Sequence, residues 1–89
     1  QAQALATRLK ALADPVRLRL VSMLAGVPGG EVCACDLPLL LGRKQPTVSH
    51  HLKVLHTAGL IDRDKRGVWV HYRASGTALG AVAAFLQPR

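Results

Sequence analysis

The stretch Gln45-Pro46-Thr47-Val48-Ser49-His50-His51-Leu52 decides the fold of this chain. Its apolar residues, continued by Leu55, recur at helical spacing on one stripe, and its polar residues fall on the opposite face. The pattern therefore predicts an amphipathic helix over 45–58. A short apolar segment before it predicts another helix over 34–41, ended by Gly42. Because only Gly42-Arg43-Lys44 separates the two, they form a helix-turn-helix.

The segments on either side extend this motif to a winged helix-turn-helix. Leucines at helical spacing predict a helix over 4–12, and Asp14-Pro15 supplies a cap and a first-turn proline for a helix over 15–24. Residues 60–73 have the pattern of two strands joined by a turn, and the last helix is predicted over 76–87. The 89 residues thus form a single domain, mostly α with a two-stranded β-wing.

The charge of the chain favours a polyanionic partner. Twelve Lys and Arg stand against five Asp and Glu, a formal net charge of +7, and seven of the basic residues lie between positions 43 and 73. The only aromatics are Trp69, Tyr72 and Phe85. Single-stranded nucleic acid is bound on aromatic platforms, so duplex DNA is the better fit.

The sequence shows no sign of a membrane or secreted protein. No apolar run has the length of a membrane span and no signal peptide is visible, so we expect no membrane partner and a cytoplasmic setting. Two cysteines in so short a chain do not make a disulfide framework, so we expect that setting to be reducing.

The polar face of the 45–58 helix carries hydrogen-bond donors and a cation. Such side chains reach base edges or phosphates when this helix of the motif enters a major groove. The cations of the predicted hairpin suit phosphate contacts along the flank of the duplex. The alternatives are an ordinary solvated helix face and solubilising charge on an exposed edge strand. The candidate DNA-binding residues are Gln45, Thr47, Ser49, His50, Lys53, Arg63, Lys65, Arg66 and Arg73.

The only two cysteines, Cys33 and Cys35, stand one residue apart, shortly before the helix-turn-helix turn. Thiolates prefer soft, thiophilic ions such as As(III), Sb(III), Cd(II) and Pb(II), so the pair is a candidate metal site. The alternative is that both are small apolar fillers of the core. The histidines offer less: His51 is expected to pack at the helix edge, and His56 and His71 lack a second ligand at useful spacing and are expected to be solvated.

Several of these stretches, in this order, resemble the ArsR/SmtB family of bacterial metal-responsive repressors. The resemblance covers nearly the whole chain. It rests on Ala11-Leu12-Ala13-Asp14-Pro15-Val16-Arg17-Leu18-Arg19-Leu20, on Glu31-Val32-Cys33-Ala34-Cys35-Asp36-Leu37, on residues 45–60 and on Gly67-Val68-Trp69-Val70-His71-Tyr72-Arg73.

The resemblance implies a homodimer, built from the first and last helices, that binds an inverted repeat in operator DNA. We do not expect an enzyme, because the chain lacks a strand-based redox motif and any general base positioned near the thiols. Two copies would present two recognition helices to successive major grooves. The residues expected at the dimer seam are Leu5, Leu9, Leu79, Val82 and Leu86, although packing within one chain would account for them equally well.

The resemblance also implies that a thiophilic ion bound at Cys33 and Cys35 releases the DNA, with As(III) or Sb(III) favoured and Cd(II) or Pb(II) next. Arsenic-binding members of the family use a third cysteine three residues on, where this chain has Pro38. A third ligand is then left to a segment outside this chain, the partner subunit, or a small thiol or hydroxide. The family's other common site needs His and acidic residues on the last helix, and residues 76–86 contain neither.

Two further functions, and two ways of coupling, remain open. A regulator that senses thiol oxidation, or no metal, is the first alternative, and a small dithiol oxidoreductase is the remote one. If the cysteines lie on a regular helix they point about 200° apart, so that binding one ion unwinds the helix start. If Pro38 instead moves the helix start later, they lie in a loop and bind with less distortion.

Overall fold

The computed structural model describes residues 2–27 and 30–89, and it confirms the winged helix-turn-helix. The predicted loop over 26–30 lies partly outside the described residues. The helices are α1 (Ala2–Leu12), α2 (Pro15–Ala25), α3 (Leu37–Leu41), α4 (Gln45–Thr57) and α5 (Gly76–Leu86). The strands are β1 (Val32–Cys33), β2 (Ile61–Arg66) and β3 (Trp69–Ala74), and a 3₁₀ turn (Ala34–Asp36) joins β1 to α3.

The core sits where α2, α3 and α4 meet the start of β2. The α4 stripe buries Val48, Leu52 and Leu55, each exposed by 4 % or less, so the opposite face of α4 is left to solvent. The other large core residues are Leu20, Leu24, Leu37, Leu41, Leu60 and Ile61. Removing this apolar surface from water is the main favourable term that fixes α4 in the fold.

The turn between α3 and α4 depends on Gly42. Its φ is 64°, in the left-handed region that glycine adopts without steric cost, and its N–H donates to the carbonyl of Leu39. At the other end of the turn, Lys44 occupies the N-cap of α4 and makes no side-chain cap hydrogen bond. The orientation of α4 therefore comes from burial of its apolar stripe rather than from capping.

The sheet has one strand more than the sequence predicted. β1 pairs with β3 on the side away from β2, giving an antiparallel sheet in the order β1-β3-β2. Val32 stands opposite Tyr72, and both pack on the core. The neighbouring row alternates to the other face of the sheet, because successive strand residues point to opposite sides. That row consists of Cys33, His71 and Asp64.

The helix predicted over 34–41 is wrong in its first turn. Residues 34–36 form the 3₁₀ turn, and α3 begins at Leu37 with Pro38 in its first turn. Proline has no N–H to donate and its fixed φ suits a helix start, so Pro38 moves the start of α3 past both cysteines. The later helix start is thus the correct alternative of the two considered for this segment.

Asp14 caps α2 in a way that makes part of the stability depend on pH. Its carboxylate accepts from the N–H groups of Val16 (2.9 Å) and Arg17 (3.1 Å). The Arg17 N–H above all, with that of Val16, holds the pKa of the Asp14 carboxyl below its ordinary value of 3.8. A lowered folded-state pKa contributes stability above the unfolded-state value, and this contribution disappears as pH falls through the folded-state value.

We therefore expect Asp14→Ala to lower the melting temperature at neutral pH, with a difference from the parent chain that narrows below pH 3.8. Thermal unfolding followed by circular dichroism across pH 2–7 measures this. Asp36→Ala is the control, because Asp36 occupies the N-cap of α3 without a side-chain cap bond. Equal losses for the two variants at neutral pH would contradict the capping role.

Candidate DNA-binding face and thiol site

The outer face of α4 presents the side chains that the sequence assigned to DNA. Gln45, Thr47, Ser49, His50 and Lys53 are all exposed. The Gln45 amide Nε2 donates to the Ser49 hydroxyl at 3.0 Å, so these two side chains order each other one turn apart. α4 therefore has one face buried in the core and an opposite, exposed face with hydrogen-bond donors and one cation. This is the arrangement of a recognition helix that enters a DNA groove.

Arg17 holds the middle of α4 to the first two helices. Its Nε donates to the Ala11 carbonyl at 2.6 Å, and its guanidinium donates to Nδ1 of His51 at 3.1 Å. His51 is half-buried, as its expected place at the helix edge requires, and its partner lies on α2. Arg17 was not predicted from the sequence, because nothing in its local pattern shows that its side chain contacts both α1 and α4.

The four candidate cations of the wing fall into two pairs. Arg63 and Lys65 are exposed and have no ion pair with any described residue. Arg66 instead binds Glu31 (2.6 Å) and Asp64 (2.9 Å), and Arg73 lies 3.7 Å from Glu31 and 3.6 Å from Asp62. The hydrogen bond to Glu31, and next that to Asp64, raise the pKa of Arg66 further above its ordinary value. Arg63 and Lys65 are thus the free cations of the wing.

Glu31 is the acid that Arg66 and Arg73 share, and nothing in the sequence predicted this role. It precedes β1 and pairs with a cation near each end of the hairpin, at positions 66 and 73. These ion pairs are largely exposed, so each stabilises the fold only slightly. Their main effect is to hold the segment that carries the cysteines against the wing.

Neutralising Glu31 is expected to strengthen binding to duplex DNA. Glu31→Gln removes the shared acid from Arg66 and Arg73 and leaves more cationic charge to meet phosphates. We expect a salt dependence steeper by roughly one phosphate contact, about 0.9 in the log–log slope. Anisotropy titrations of a labelled duplex at several salt concentrations measure it. The control, Asp36→Asn, makes the same change in net charge at an exposed acid that has no ion pair among the described residues; an equal effect would argue against the network.

The structure brings the two cysteines together. Cys33 is the last residue of β1 and Cys35 lies in the 3₁₀ turn, with Cα atoms 5.2 Å apart and the two sulfur atoms paired as a disulfide. The Cys33 sulfur also accepts from the N–H of Cys35 at 3.3 Å. Because no α-helix separates them, both sulfurs can face one ion after reduction without unwinding a helix. The unwinding mechanism considered from the sequence is therefore wrong for this segment.

The donor set at the cysteines fits a thiophilic ion but contains only two sulfurs. In the structure, where Cys33 and Cys35 are paired with each other, no group of three or more His, Cys, Asp or Glu side chains within residues 2–27 and 30–89 is arranged to hold a metal. Pro38, at the third position of the arsenic pattern, lies in the first turn of α3. His71, expected to be solvated, is half-buried, and its Nδ1 is buried without a hydrogen-bond partner among the described groups.

The fold and three features together define a winged-helix regulator: an exposed α4 face, a basic wing and a thiol pair directly before α3. Comparison with known proteins specifies the family. Residues 14–63 match the model of the bacterial regulatory proteins of the arsR family, and the chain belongs to that family. The expected ArsR/SmtB resemblance is thereby confirmed, and the family is one of regulatory proteins.

Individual relatives and solved structures point to the same family. The arsenical resistance operon repressor of Escherichia coli (strain K12) is 47 % identical over 66 residues, covering 74 % of this chain and 55 % of the relative. An ArsR-like transcriptional regulator from Rhodococcus sp. RHA1 superposes with a TM-score of 0.83 at 28 % identity, covering 96 % of this chain and 77 % of that one. A homodimeric winged helix-turn-helix DNA-binding domain from Mycobacterium bovis gives 0.79 at 28 %, covering 97 % and 77 %.

The matched region spans about half the length of the E. coli relative. Among the described helices, none combines the length and the apolar character that crossing a membrane requires.

Proposed function

We propose that this chain is the DNA-binding and sensing unit of a dimeric transcriptional repressor. It binds operator DNA through α4 and the wing, and a thiophilic metal or metalloid at Cys33 and Cys35 releases it. As(III) or Sb(III) is the favoured inducer, with Cd(II) and Pb(II) next. The observation that carries the proposal is the meeting of the two sulfurs directly before α3, the helix that leads to α4.

The DNA half of the proposal rests on charge and exposure. The candidates Gln45, Thr47, Ser49, His50 and Lys53 share one exposed helix face, and Arg63 and Lys65 are free cations on the adjacent wing. Base edges are assigned to α4 and phosphates to the wing. Arg66 and Arg73 are assigned a conditional role, because each reaches a phosphate only by loosening its ion pairs with acids of the same chain.

The dimer is proposed to form through α1 and α5. Phe85 and Leu86 are more than half exposed at the end of α5, and an isolated exposed apolar pair gains from burial against a second copy. Of the residues expected at the seam, Val82 is only 6 % exposed within the single chain, where it already packs. The seam is therefore assigned to Leu5, Leu9, Leu79 and Leu86. The homodimeric state of the Mycobacterium bovis domain supports the formation of a dimer.

Release is proposed to begin in the segment between β1 and α3. α3 is five residues long and buries Leu37 and Leu41 against the core that α4 shares, so it cannot shift without disturbing α4. The same segment is tied to the wing by the pairs of Glu31 with Arg66 and Arg73. An ion that changes the spacing of Cys33 and Cys35 acts on both DNA-contacting elements.

A second candidate is a repressor that senses thiol oxidation. The observation in its favour is the pairing of Cys33 with Cys35 in the structure. Oxidation and metal binding compete for the same two sulfurs, so one experiment separates them. The dithiol oxidoreductase alternative receives no support from the relatives, which are regulatory proteins.

The test is a titration of the reduced protein with As(III) and, separately, Cd(II), followed by thiolate-to-metal absorption and by release of a labelled operator duplex selected from a random library. Release under strong reductant at a stoichiometry of one ion per cysteine pair supports the proposal. Release by peroxide alone supports the redox candidate. DNA binding that does not weaken with salt would contradict the phosphate assignments.

A further inference from the structure

His71 lies at the centre of the outer row of the sheet. It stands directly opposite Cys33 of β1 on one side and Asp64 of β2 on the other. Residues opposite each other in an antiparallel pair share a face and have Cβ atoms about 4.5–5.5 Å apart. The 3₁₀ turn that carries Cys35 also packs against β3. The pairing of β1 with β3 thus brings a histidine 38 positions along the chain to the side of the thiol pair.

The imidazole of His71 lacks the partner that its burial calls for. Nδ1 is buried without a hydrogen bond within the part of the chain that the structure describes. Native proteins pair nearly all such atoms, so an orphan of this kind needs an explanation such as an absent ion. Asp64, the neighbour on β2, does not serve, because its carboxylate accepts from Arg66 at 2.9 Å.

The Arg66 guanidinium lies on the same face of the sheet as His71, because residues 64, 66 and 71 alternate to that face. It binds Asp64 on β2 and Glu31 beside β1, and β3 is the strand between them. The arginine side chain therefore crosses the outer face of the sheet in the neighbourhood of His71. On the other side of His71, across the β1–β3 pairing, the neighbour is Cys33 of the thiol pair.

We propose that His71 is the third protein ligand when a divalent ion such as Cd(II) or Zn(II), rather than As(III), binds at Cys33 and Cys35. The inference rests on the proposed function, since it assumes that the cysteines are ligands. Imidazole suits Zn(II), whereas As(III) gains far less from nitrogen than from a third sulfur. While Cys33 and Cys35 form a disulfide, their sulfurs are bonded to each other; reduction to two thiols makes both available for an ion.

The proposal gives the wing a direct role in sensing. Cys33 and His71 belong to different strands, so one ion that joins them pulls β1 against β3. The wing hairpin contains β3. Binding would then act on the wing through a metal–ligand bond as well as through the Glu31 ion pairs. A three-cysteine site at positions 33, 35 and 38 would take no ligand from the wing.

The experiment is a Cd(II) titration of the reduced full chain, followed by sulfur-to-cadmium absorption with a competing chelator, for the parent, His71→Ala, Cys33→Ser and the control His56→Ala. His56 is exposed on α4. Loss of an outer-shell partner already costs roughly 10–100-fold in metal affinity, so His71→Ala should cost at least as much for Cd(II), with As(III) affinity nearly unchanged. Cadmium NMR should show a nitrogen-dependent shift that is absent from His71→Ala.

The outcomes separate the two proposals. If Cys33→Ser loses Cd(II) while His71→Ala matches His56→Ala, the cysteine site stands and the role of His71 is overturned. If Cys33→Ser binds both ions as the parent does, the proposed sensing function itself fails. His71→Cys is the control for an alanine variant that merely misfolds. If position 71 is a ligand position, the new cysteine supplies a third sulfur and raises As(III) affinity at least about tenfold. An unchanged As(III) affinity would overturn the placement of residue 71 at the ion.

Discussion

Cys33→Ser is expected to leave operator binding unchanged and to abolish release by As(III). Cys33 lies in β1, outside both α4 and the cations of the wing, so its loss removes no candidate DNA contact. The fold should persist, because the Cys33 sulfur accepts a hydrogen bond from the N–H of Cys35 and a serine hydroxyl accepts one equally well. A hydroxyl, unlike a thiolate, is a poor ligand for a soft metalloid.

The measurement is fluorescence anisotropy of a labelled operator duplex, with the protein kept reduced and arsenite added stepwise. Cys35→Ser should behave as Cys33→Ser does. Ala34→Ser is the matched control, since it introduces the same hydroxyl between the two cysteines and keeps both thiols. Release from the Cys33→Ser variant at the arsenite concentration that releases the parent would show that the inducer binds elsewhere.

The sequence was sufficient for the helix-turn-helix because the signals there are local. α4 carries its own 3.6-residue period, Gly42 fixes the turn, and Asp14-Pro15 marks the start of α2. The wing was predicted for a similar reason, since two β-rich runs flank a turn. Each of these elements is decided by residues that are close together along the chain, which is where pattern and propensity carry information.

The parts that the sequence did not predict are those that depend on long-range pairing. A strand of two residues, as β1 is, has no period to detect, yet it decides that Glu31 meets the wing and that Cys33 faces His71. The same pairing explains why four wing cations that look alike in sequence differ in the structure. Pro38 was informative in a different way. It stands where arsenic-binding members of the family have a third cysteine, but its effect on the fold comes from its backbone: without an N–H and with a fixed φ, it determines where α3 begins.

The proposed thiol site and the proposed DNA-binding surfaces are connected by two short routes. One runs from the 3₁₀ turn through α3, whose two buried leucines join the core of α4. The other runs from Glu31 to Arg66 and Arg73 on the wing. In the proposed mechanism, the first route would transmit a displacement through packed side chains, and the second would change which cations of the wing are free to bind phosphate. A variant in one route should therefore leave part of the inducer response intact.

Lys53→Glu is expected to weaken operator binding by roughly 100-fold in a dimer, from about tenfold at each of two independent half-sites. Lys53 is the one cation on the exposed face of α4, and it has no ion pair among residues 2–27 and 30–89. A glutamate there loses a phosphate or base contact and adds repulsion from the duplex. The salt dependence should also become shallower, by about 0.9 per lost phosphate contact.

The control is Arg19→Glu, which makes the same change in net charge. Arg17 faces α4 through its contact with His51, and Arg19 follows two residues later, about 200° around the helix, so it points away from α4. A repressor that held DNA by overall charge alone would be weakened equally by the two variants. If α4 is the reading element, Lys53→Glu should lose nearly all operator preference, and Arg19→Glu should show only a small, non-specific loss that added salt removes.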